Sequence, residues 1–180
     1  GMIGTHFENP NGLPNDAQIS TARDIAVLAL AIVHNFPDRY ATFGLRQASI
    51  GSRSQPTVNG LLGAYPGADG MKTGFTCGSG YNIVGSAVRG GQRLIAVVLG
   101  AHDRNQRTAL VRGLLDSGFK GGESVPATIA DIALVPAGLE TGAPPPVLKG
   151  GDCEASDSPD AAPDYAAPSR LPGWGIIFGS

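Results

Sequence analysis

The sequence is poor in several residue classes, and each shortage excludes a class of protein. Only 16% of its 180 residues are charged and the net charge is −2, so the chain lacks the basic surface that gathers nucleic acid or anionic lipid. Two cysteines are too few for a disulfide scaffold and lack the spacing of a structural zinc site. No apolar run approaches the roughly 20 residues of a membrane-spanning helix, and no signal-peptide pattern opens the chain.

What remains is enough apolar material for one folded domain. Hydrophobic residues make up 42% of the chain, and a chain of this length rarely forms two domains. Composition divides it into a folded part at 1–122, a connecting segment at 123–139 and a tail at 140–180. The tail holds seven of the 14 prolines and six acidic against two basic residues. We therefore predict that the tail is extended or disordered.

The first helix is marked by start and stop signals. Ser20 or Thr21 can cap its N-terminus, and Asp24 in the first turn complements the helix dipole. Apolar residues then recur at helical spacing until Pro37. The pattern predicts a largely buried helix over 22–35.

A hairpin and a second helix follow further along the chain. Residues 81–89 and 93–99 are rich in strand-forming residues and are separated by a short connection that contains two glycines. A helix over 105–117, with Asp103 as its cap, should pack against that hairpin, and Gly118 should end it. The predicted fold is an antiparallel sheet flanked by helices, in the α/β (α+β) class.

Other segments give weaker signals. The stretch 5–16 is dense in Asn, Gly and Pro and predicts an ordered loop. The stretch 39–55 is compatible with a short hairpin and a loop, and 63–70 predicts turns, with Asp69 as a turn residue. The closing residues 171–178 are apolar but far too short to cross a bilayer, so we expect them to dock on the protein or on a partner.

The tripeptide Lys72-Thr73-Gly74 is the most informative spot for function. It lies at the start of the predicted sheet, where the lysine would project a cation toward a cleft and the threonine a hydroxyl donor. The glycine would let a ligand approach the strand closely. A tripeptide alone is weak, and the alternative is a surface lysine that protects an edge strand from aggregation.

The wider pattern resembles a known family. Over about residues 1–120 the chain closely resembles the D-alanyl-D-alanine carboxypeptidases, the low-molecular-mass penicillin-binding proteins of serine peptidase family S11. The resemblance implies the fold of the penicillin-binding proteins and β-lactamases, here incomplete. It is carried, in the family's order and spacing, by Thr5-His6-Phe7, Ser20-Thr21-Ala22-Arg23-Asp24, Asn59-Gly60-Leu61-Leu62, Gly70-Met71-Lys72-Thr73-Gly74-Phe75-Thr76 and Gly80-Tyr81-Asn82.

The activity that the resemblance implies is acyl transfer on peptidoglycan stem peptides ending in D-Ala-D-Ala. A serine attacks the peptide carbonyl, the terminal D-Ala leaves, and water hydrolyses the acyl-enzyme. β-Lactams acylate the same serine and act as inhibitors. The resemblance implies no metal and no other cofactor, and it places such an enzyme in the periplasm.

The strand motif carries most of the implied site. In the family, the lysine at the position of Lys72 supplies positive charge and supports proton transfer, and the threonine at Thr73 binds the substrate's carboxylate. Gly74 belongs to the same catalytic tripeptide. The backbone N–H of Phe75 would supply half of the oxyanion hole, and Thr76 extends the substrate-binding strand.

An arginine completes the implied carboxylate site. An ungapped count from Lys72 places the family's carboxylate-binding arginine at Arg107, and Arg104 is the nearest competitor. A guanidinium fork suits a carboxylate. The alternative for Arg107 is a solvated residue on the outside of a helix.

Two further motifs of the family, Ser-x-x-Lys and Ser-x-Asn, normally lie upstream of the segment that begins at Gly1. We therefore expect the chain to lack both, to supply one catalytic wall of three and to be inactive alone. The alternatives are a non-catalytic remnant or interaction module that binds muropeptides, and a serine β-lactamase of related fold.

Cys77 follows the motif strand closely and has three possible states. It could be a reactive thiol, a free buried thiol or one half of a bridge to Cys153. The periplasmic setting that the resemblance implies favours the bridge.

Overall fold

Three consecutive antiparallel strands form the centre of the fold. A computed structural model describes residues 1–121, together with the backbone of two short strands at 125–126 and 175–179. None of the helices described there is long and apolar enough to cross a membrane. In chain order the elements are α1 (Ala22–Asn35), α2 (Pro37–Tyr40), a 3-10 helix (Ala41–Gly44), β1 (Gln47–Ile50), β2 (Arg53–Pro56), β3 (Ala68–Thr76), β4 (Gly80–Arg89), β5 (Gln92–Ala101), α3 (Arg104–Phe119), β6 (Val125–Pro126) and β7 (Gly175–Gly179).

The strands form two sheets. The larger has the order β3-β4-β5-β7-β6, in which β3, β4, β5 and β7 pair antiparallel and β6 runs parallel to β7. Strands β1 and β2 form a separate hairpin, as the weak signal over 39–55 allowed. Both strands of the predicted hairpin are confirmed, each slightly longer than predicted. The predicted fold class, an antiparallel sheet flanked by helices, is confirmed.

Strand β5 contributes side chains to two hydrophobic cores. Because successive side chains of a strand point to opposite faces, Leu94, Ala96 and Val98 join one core, while Ile95 and Val97 join the other. Helix α3 covers the first core and helix α1 the second. The helix residues buried in these cores are Val111, Leu114 and Leu115 of α3 and Ala26, Val27, Ala29 and Leu30 of α1.

Helix α1 has the predicted bounds, 22–35, and its N-cap is Thr21. The Thr21 hydroxyl accepts a hydrogen bond from the backbone N–H of Asp24 at 3.1 Å, which satisfies a donor that the helix itself leaves free. The helix ends before Pro37, which opens the short helix α2. One face of α1 is buried as predicted and supplies half of the buried residues of the second core, whereas Leu28 on another face is exposed.

A buried ion pair fastens the N-terminal loop to α1. The carboxylate of Asp24 accepts hydrogen bonds from the backbone N–H of Gly4 at 2.8 Å and from the Thr5 hydroxyl at 2.7 Å. Its other oxygen accepts from Arg23 at 2.8 Å, and Arg23 also donates to the carbonyl of Gly1 at 2.9 Å. Both charged side chains are at most 5% exposed. These partners compensate the buried charges and hold residues 1–5 against α1. Within the predicted loop 5–16, the side-chain oxygen of Asn9 accepts from the backbone N–H of Gly12 at 2.8 Å, as expected for an ordered loop.

Two element boundaries differ from the prediction. Strand β3 already begins at Ala68, so Asp69 is a strand residue and not a turn residue. Helix α3 starts at its predicted cap, since the Asp103 carboxylate accepts from the N–H of Gln106 at 2.8 Å. It does not end at Gly118, however, because that glycine is buried within the helix and adopts helical geometry like its neighbours.

The C-terminal residues return to the sheet. Strand β7 pairs antiparallel with β5. Residues 175–179 therefore dock on the protein itself, which was one of the two alternatives expected for the closing residues. Most of the predicted tail, 140–180, and of the predicted connecting segment, 123–139, lies outside the described residues. The three-part division of the chain therefore stays a prediction.

We expect Asp24→Ala to destabilise the fold by about 3 kcal/mol, because it leaves the Arg23 charge buried without its partner. Urea unfolding followed by circular dichroism measures this. Asp16→Ala, which removes an exposed carboxylate from the same loop region, is the control and should change stability by less than about 0.5 kcal/mol. Equal effects of the two substitutions would contradict the role given to Asp24.

Candidate active site

Strand β3 presents the Lys-Thr-Gly tripeptide at one side of the larger sheet. Among the described strands it is bonded to β4 alone. The side chain of Lys72 is exposed, and its ammonium group donates a hydrogen bond to the backbone carbonyl of Thr73. Strand alternation puts Lys72 and Gly74 on one face and Thr73 and Phe75 on the other. The strand therefore offers a cation and a hydroxyl within one short stretch.

The space in front of Gly74 is open. A Cβ atom built on Gly74 meets no heavy atom within 4 Å. At Gly85, on the neighbouring strand, the same atom would lie 2.6 Å from Val111 and 2.7 Å from Leu61. Packing therefore requires a glycine at 85, whereas at 74 the absent side chain leaves room for an approaching ligand.

Two stacked aromatic rings connect the motif strand to helix α3. The rings of Phe75 and Tyr81 stack with their centroids 4.1 Å apart. The guanidinium of Arg107 lies 5.8 Å from the centre of the Tyr81 ring, within the range of a cation–π interaction. Tyr81 is only 2% exposed. Arg107 is thus connected through Tyr81 to Phe75 of β3, although 32 positions separate Arg107 from Phe75 in the sequence.

Arg107 is a buried charge and not a solvated helix residue. It is 5% exposed, and one of its terminal nitrogens donates to the carbonyl of Val58 at 3.3 Å. Its Nε is buried and has no hydrogen-bond partner within the described part of the chain. Burial, together with the like charge of Arg104, lowers the pKa of Arg107. A carboxylate held against this guanidinium would supply the missing compensation.

A cleft of about 440 Å³ opens beside Arg107. Of the described residues, three arginines line it and no acidic residue does, so its local charge is positive. Two of these arginines, Arg107 and Arg112, have a buried Nε that no described residue accepts from. The cleft therefore suits an anionic group. Its walls are Val58 and Gly60 from the segment before β3 and Arg104, Asn105, Arg107, Thr108, Ala109 and Arg112 from α3.

The turn after β3 uses the side chain of Thr76. Its hydroxyl accepts from the backbone N–H of Ser79 at 3.0 Å and donates to the Ser79 hydroxyl at 2.9 Å. This leaves the backbone of Thr76, more than its side chain, for a ligand. Cys77 in the same turn is disulfide-bonded, so the free-thiol alternatives do not apply. Its predicted partner, Cys153, lies outside the described residues, and the pairing stays a prediction.

Asn82 has a role that the sequence reading did not assign. Its side-chain oxygen accepts from the backbone N–H of Gly100 at 2.8 Å, and its amide nitrogen donates to the carbonyl of Gly80 at 3.0 Å. These bonds bridge β4 and β5 where their register shifts, between Tyr81 and Ile83. In the sequence, Asn82 is marked only by its place in the family motif Gly80-Tyr81-Asn82. The motif by itself does not indicate which hydrogen bonds the side chain makes.

One Ser-x-x-Lys spacing is present after all, at Ser117 and Lys120. The expectation that the chain lacks this spacing is wrong, but the pair is not placed for catalysis. Both residues are exposed at the C-terminal end of α3. Ser117 lies ten residues beyond Arg107, about 15 Å along the helix. Neither residue lines the cleft, and the lining does not include Lys72, Thr73 or Gly74 on β3 either.

The sheet, its two helix layers and the exposed Lys-Thr-Gly strand define the class of the penicillin-binding proteins. Penicillin binding protein 5 from Haemophilus influenzae matches with a TM-score of 0.64 and 37% identity, over 67% of this chain and 36% of that one. Penicillin-Binding Protein D2 from Listeria monocytogenes, solved in its ampicillin-bound form, matches with a TM-score of 0.62 and 33% identity, over 66% and 50%.

Within that class, the chain belongs to the D-alanyl-D-alanine carboxypeptidase family, peptidase S11, whose family model matches residues 1–103. The predicted family is thereby confirmed. D-alanyl-D-alanine carboxypeptidase DacC of Escherichia coli is 40% identical over 136 residues, which are 75% of this chain and 34% of the relative. DacF of Bacillus subtilis is 35% identical over 131 residues, 70% of this chain and 33% of the relative. The chain thus spans about a third of the length of these relatives.

We expect Gly74→Ala to leave the fold intact and Gly85→Ala to destabilise it by about 2 kcal/mol, since only the second methyl group meets packed side chains. Urea unfolding of both variants measures the difference. Equal destabilisation by the two changes would show that the space in front of Gly74 is not open in solution.

Proposed function

We propose that this chain forms the Lys-Thr-Gly wall of the active site in a serine-type D-alanyl-D-alanine carboxypeptidase. The observation that carries the proposal is the exposed Lys72-Thr73-Gly74 stretch on a strand with open space before it, together with a buried arginine that has no carboxylate partner among the described residues. Membership of the family supports the same activity. The substrate class is peptidoglycan stem peptides that end in D-Ala-D-Ala.

The terminal carboxylate of such a peptide is the group that the arginine would bind. Arg107 offers a buried guanidinium in a cleft whose described walls hold no acidic residue, which favours an anion over a neutral group. The Thr73 hydroxyl would donate a second hydrogen bond to the same carboxylate. Together they would hold the scissile peptide bond across β3, next to Gly74.

The acyl transfer itself needs a serine nucleophile, which we expect from outside the described residues. Its oxygen forms a bond to the carbonyl carbon of the penultimate D-Ala, and the bond from that carbon to the terminal D-Ala nitrogen breaks. The departing amine takes up a proton, and water later releases the peptide from the serine. Lys72 would stabilise the developing negative charge and support the proton transfers, while the N–H of Phe75 would face the oxyanion.

Penicillins would acylate the same serine, because their ring carbonyl and carboxylate resemble those of the peptide. The proposed setting is the periplasm, where the stem peptides lie and where a disulfide at Cys77 persists. Since nucleophile and base act as a unit with this wall, the chain alone should not turn over substrate.

A second candidate function is binding of muropeptides without cleavage. The position of Ser117 and Lys120 favours it for the isolated chain, because the cleft with Arg107 is present while the one Ser-x-x-Lys spacing lies outside it. In that case the chain binds a D-Ala-terminated peptide and releases it unchanged.

We expect Lys72→Ala in the full-length protein of the source to slow acylation by a fluorescent penicillin about a hundredfold, the scale of losing one preorganised electrostatic group. Adduct formation over time on a denaturing gel measures the rate. Lys120→Ala, at the exposed end of α3, is the matched control and should react as the parent does. An unchanged rate in Lys72→Ala contradicts the role of Lys72, and fast β-lactam hydrolysis without a lasting adduct favours a β-lactamase.

We expect Arg107→Gln to raise KM for a D-Ala-D-Ala peptide about thirtyfold, because a charge-assisted bond to the carboxylate is lost. The C-terminally amidated peptide should bind both enzymes equally poorly. Steady-state kinetics with the two peptides measure this, with Arg104→Gln as the comparison. A larger effect of Arg104→Gln would move the carboxylate site to that residue.

A further inference from the structure

One guanidinium connects three strands of the larger sheet. Arg93 lies near the start of β5 and reaches across β4 to Asp69 on β3, with distances of 3.0 Å and 2.7 Å from its two terminal nitrogens to the two carboxylate oxygens. The first of these nitrogens also donates to the hydroxyl of Ser86 on β4 at 2.7 Å. Ser86 is fully buried. The ion pair is therefore bidentate, has a defined geometry and is partly shielded from water.

Tyr40, the last residue of α2, packs against this ion pair. Its ring lies under the guanidinium of Arg93 at 4.7 Å, and its hydroxyl is 3.5 Å from the carboxylate of Asp69. Burial raises the pKa of Tyr40, which keeps the hydroxyl protonated. A Cβ on Gly70 would lie 2.6 Å from that hydroxyl oxygen, so β3 passes directly against the ring. The backbone at 69 and 70 is thus held from two sides.

The register of β3 shifts in this region. Among the described strands β3 bonds to β4 alone, and the pairing shifts between Ala68 and Gly70. A slip by one residue would turn every later side chain to the opposite face of the sheet. Lys72 and Thr73 follow the shift within three residues, so a slip by one residue would exchange their faces.

We propose that the Asp69–Arg93 ion pair is a positioning device, which sets the register of β3 and thereby the faces on which Lys72 and Thr73 lie. The inference rests on the proposed function for its catalytic consequence. Asp69 and Arg93 touch no reacting atom and act through the strand. The pair joins β3 to β5, two strands that are not neighbours, which is why the backbone pairing alone does not supply this restraint.

A second ion pair on the same sheet provides a matched control. Asp116 accepts from the hydroxyl of Tyr65 at 2.7 Å and lies 3.6 Å from Arg89, with side-chain exposures of 32% for Arg89 and 48% for Asp116. It therefore resembles the Asp69–Arg93 pair in chemistry but connects β4 to α3 and includes no residue of β3. Asp116→Asn removes an ion pair of the same kind while Asp69, Arg93 and the motif residues stay unchanged.

The first test measures penicillin acylation in the full-length protein of the source. We expect Asp69→Asn and Arg93→Lys each to lower the limiting rate of acylation about tenfold or more, since small misplacements of catalytic groups have effects of this size. Asp116→Asn should match the parent in rate and match Asp69→Asn in its unfolding midpoint. Equal rates for all three variants would overturn the proposal.

The second test does not depend on activity. In this chain as it stands, Asp69→Asn should speed amide hydrogen exchange of residues 71–75 about tenfold relative to residues 94–98, and Asp116→Asn should leave 71–75 unchanged. Unaltered exchange in Asp69→Asn overturns the positioning role even if the parent protein binds no penicillin. Absence of a penicilloyl adduct in the parent, with faster exchange in Asp69→Asn, instead overturns the proposed function and keeps the ion pair's role.

Discussion

Burial of strand β5 on both faces is the constraint on which the rest of the described structure depends. Residues 94–98 are all buried, and their side chains alternate between two cores. A strand of this kind needs a cover on each side, which α1 and α3 provide. The two helices in turn need fixed starting points, and the hydroxyl of Thr21 and the carboxylate of Asp103 supply them. Strand β3, which carries the Lys-Thr-Gly tripeptide, then lies at the edge of the described sheet, two positions from β5.

The position of β3 at the edge of the described sheet exposes the strand to a ligand but also leaves it less restrained than the central strands. A strand bonded on one side can leave a cation and a glycine exposed to a ligand, whereas the central strands are filled by packed side chains. The same position removes half of the backbone restraint. Side chains replace part of it, through the Phe75–Tyr81 stack at one end and the Asp69–Arg93 pair at the other.

Arginines perform three different tasks in this fold, although lysine and arginine together are only 13 residues. Arg89 lies between the rings of Tyr65 and Phe119 and packs the end of the sheet onto α3. Arg93 spreads its hydrogen bonds over two strands. Arg107 lies in a positive cleft and has no carboxylate partner among the described residues. Of these three arginines, only Arg107 has a charge that the described side chains leave uncompensated, and this is the reason for proposing it as the binding arginine.

The sequence by itself determined the helix 22–35, the hairpin of β4 and β5, and the family, because capping residues, alternation and contiguous motifs are local signals. It also pointed to Lys72 and Arg107, through the family's spacing. Only the tertiary structure decided that Asp69 belongs to a strand, that Arg107 is buried and that Ser117 and Lys120 lie outside the cleft. These facts depend on contacts between residues distant in the sequence, such as Asp69 with Arg93, and no local pattern of residues encodes a contact that the packing of the sheet creates.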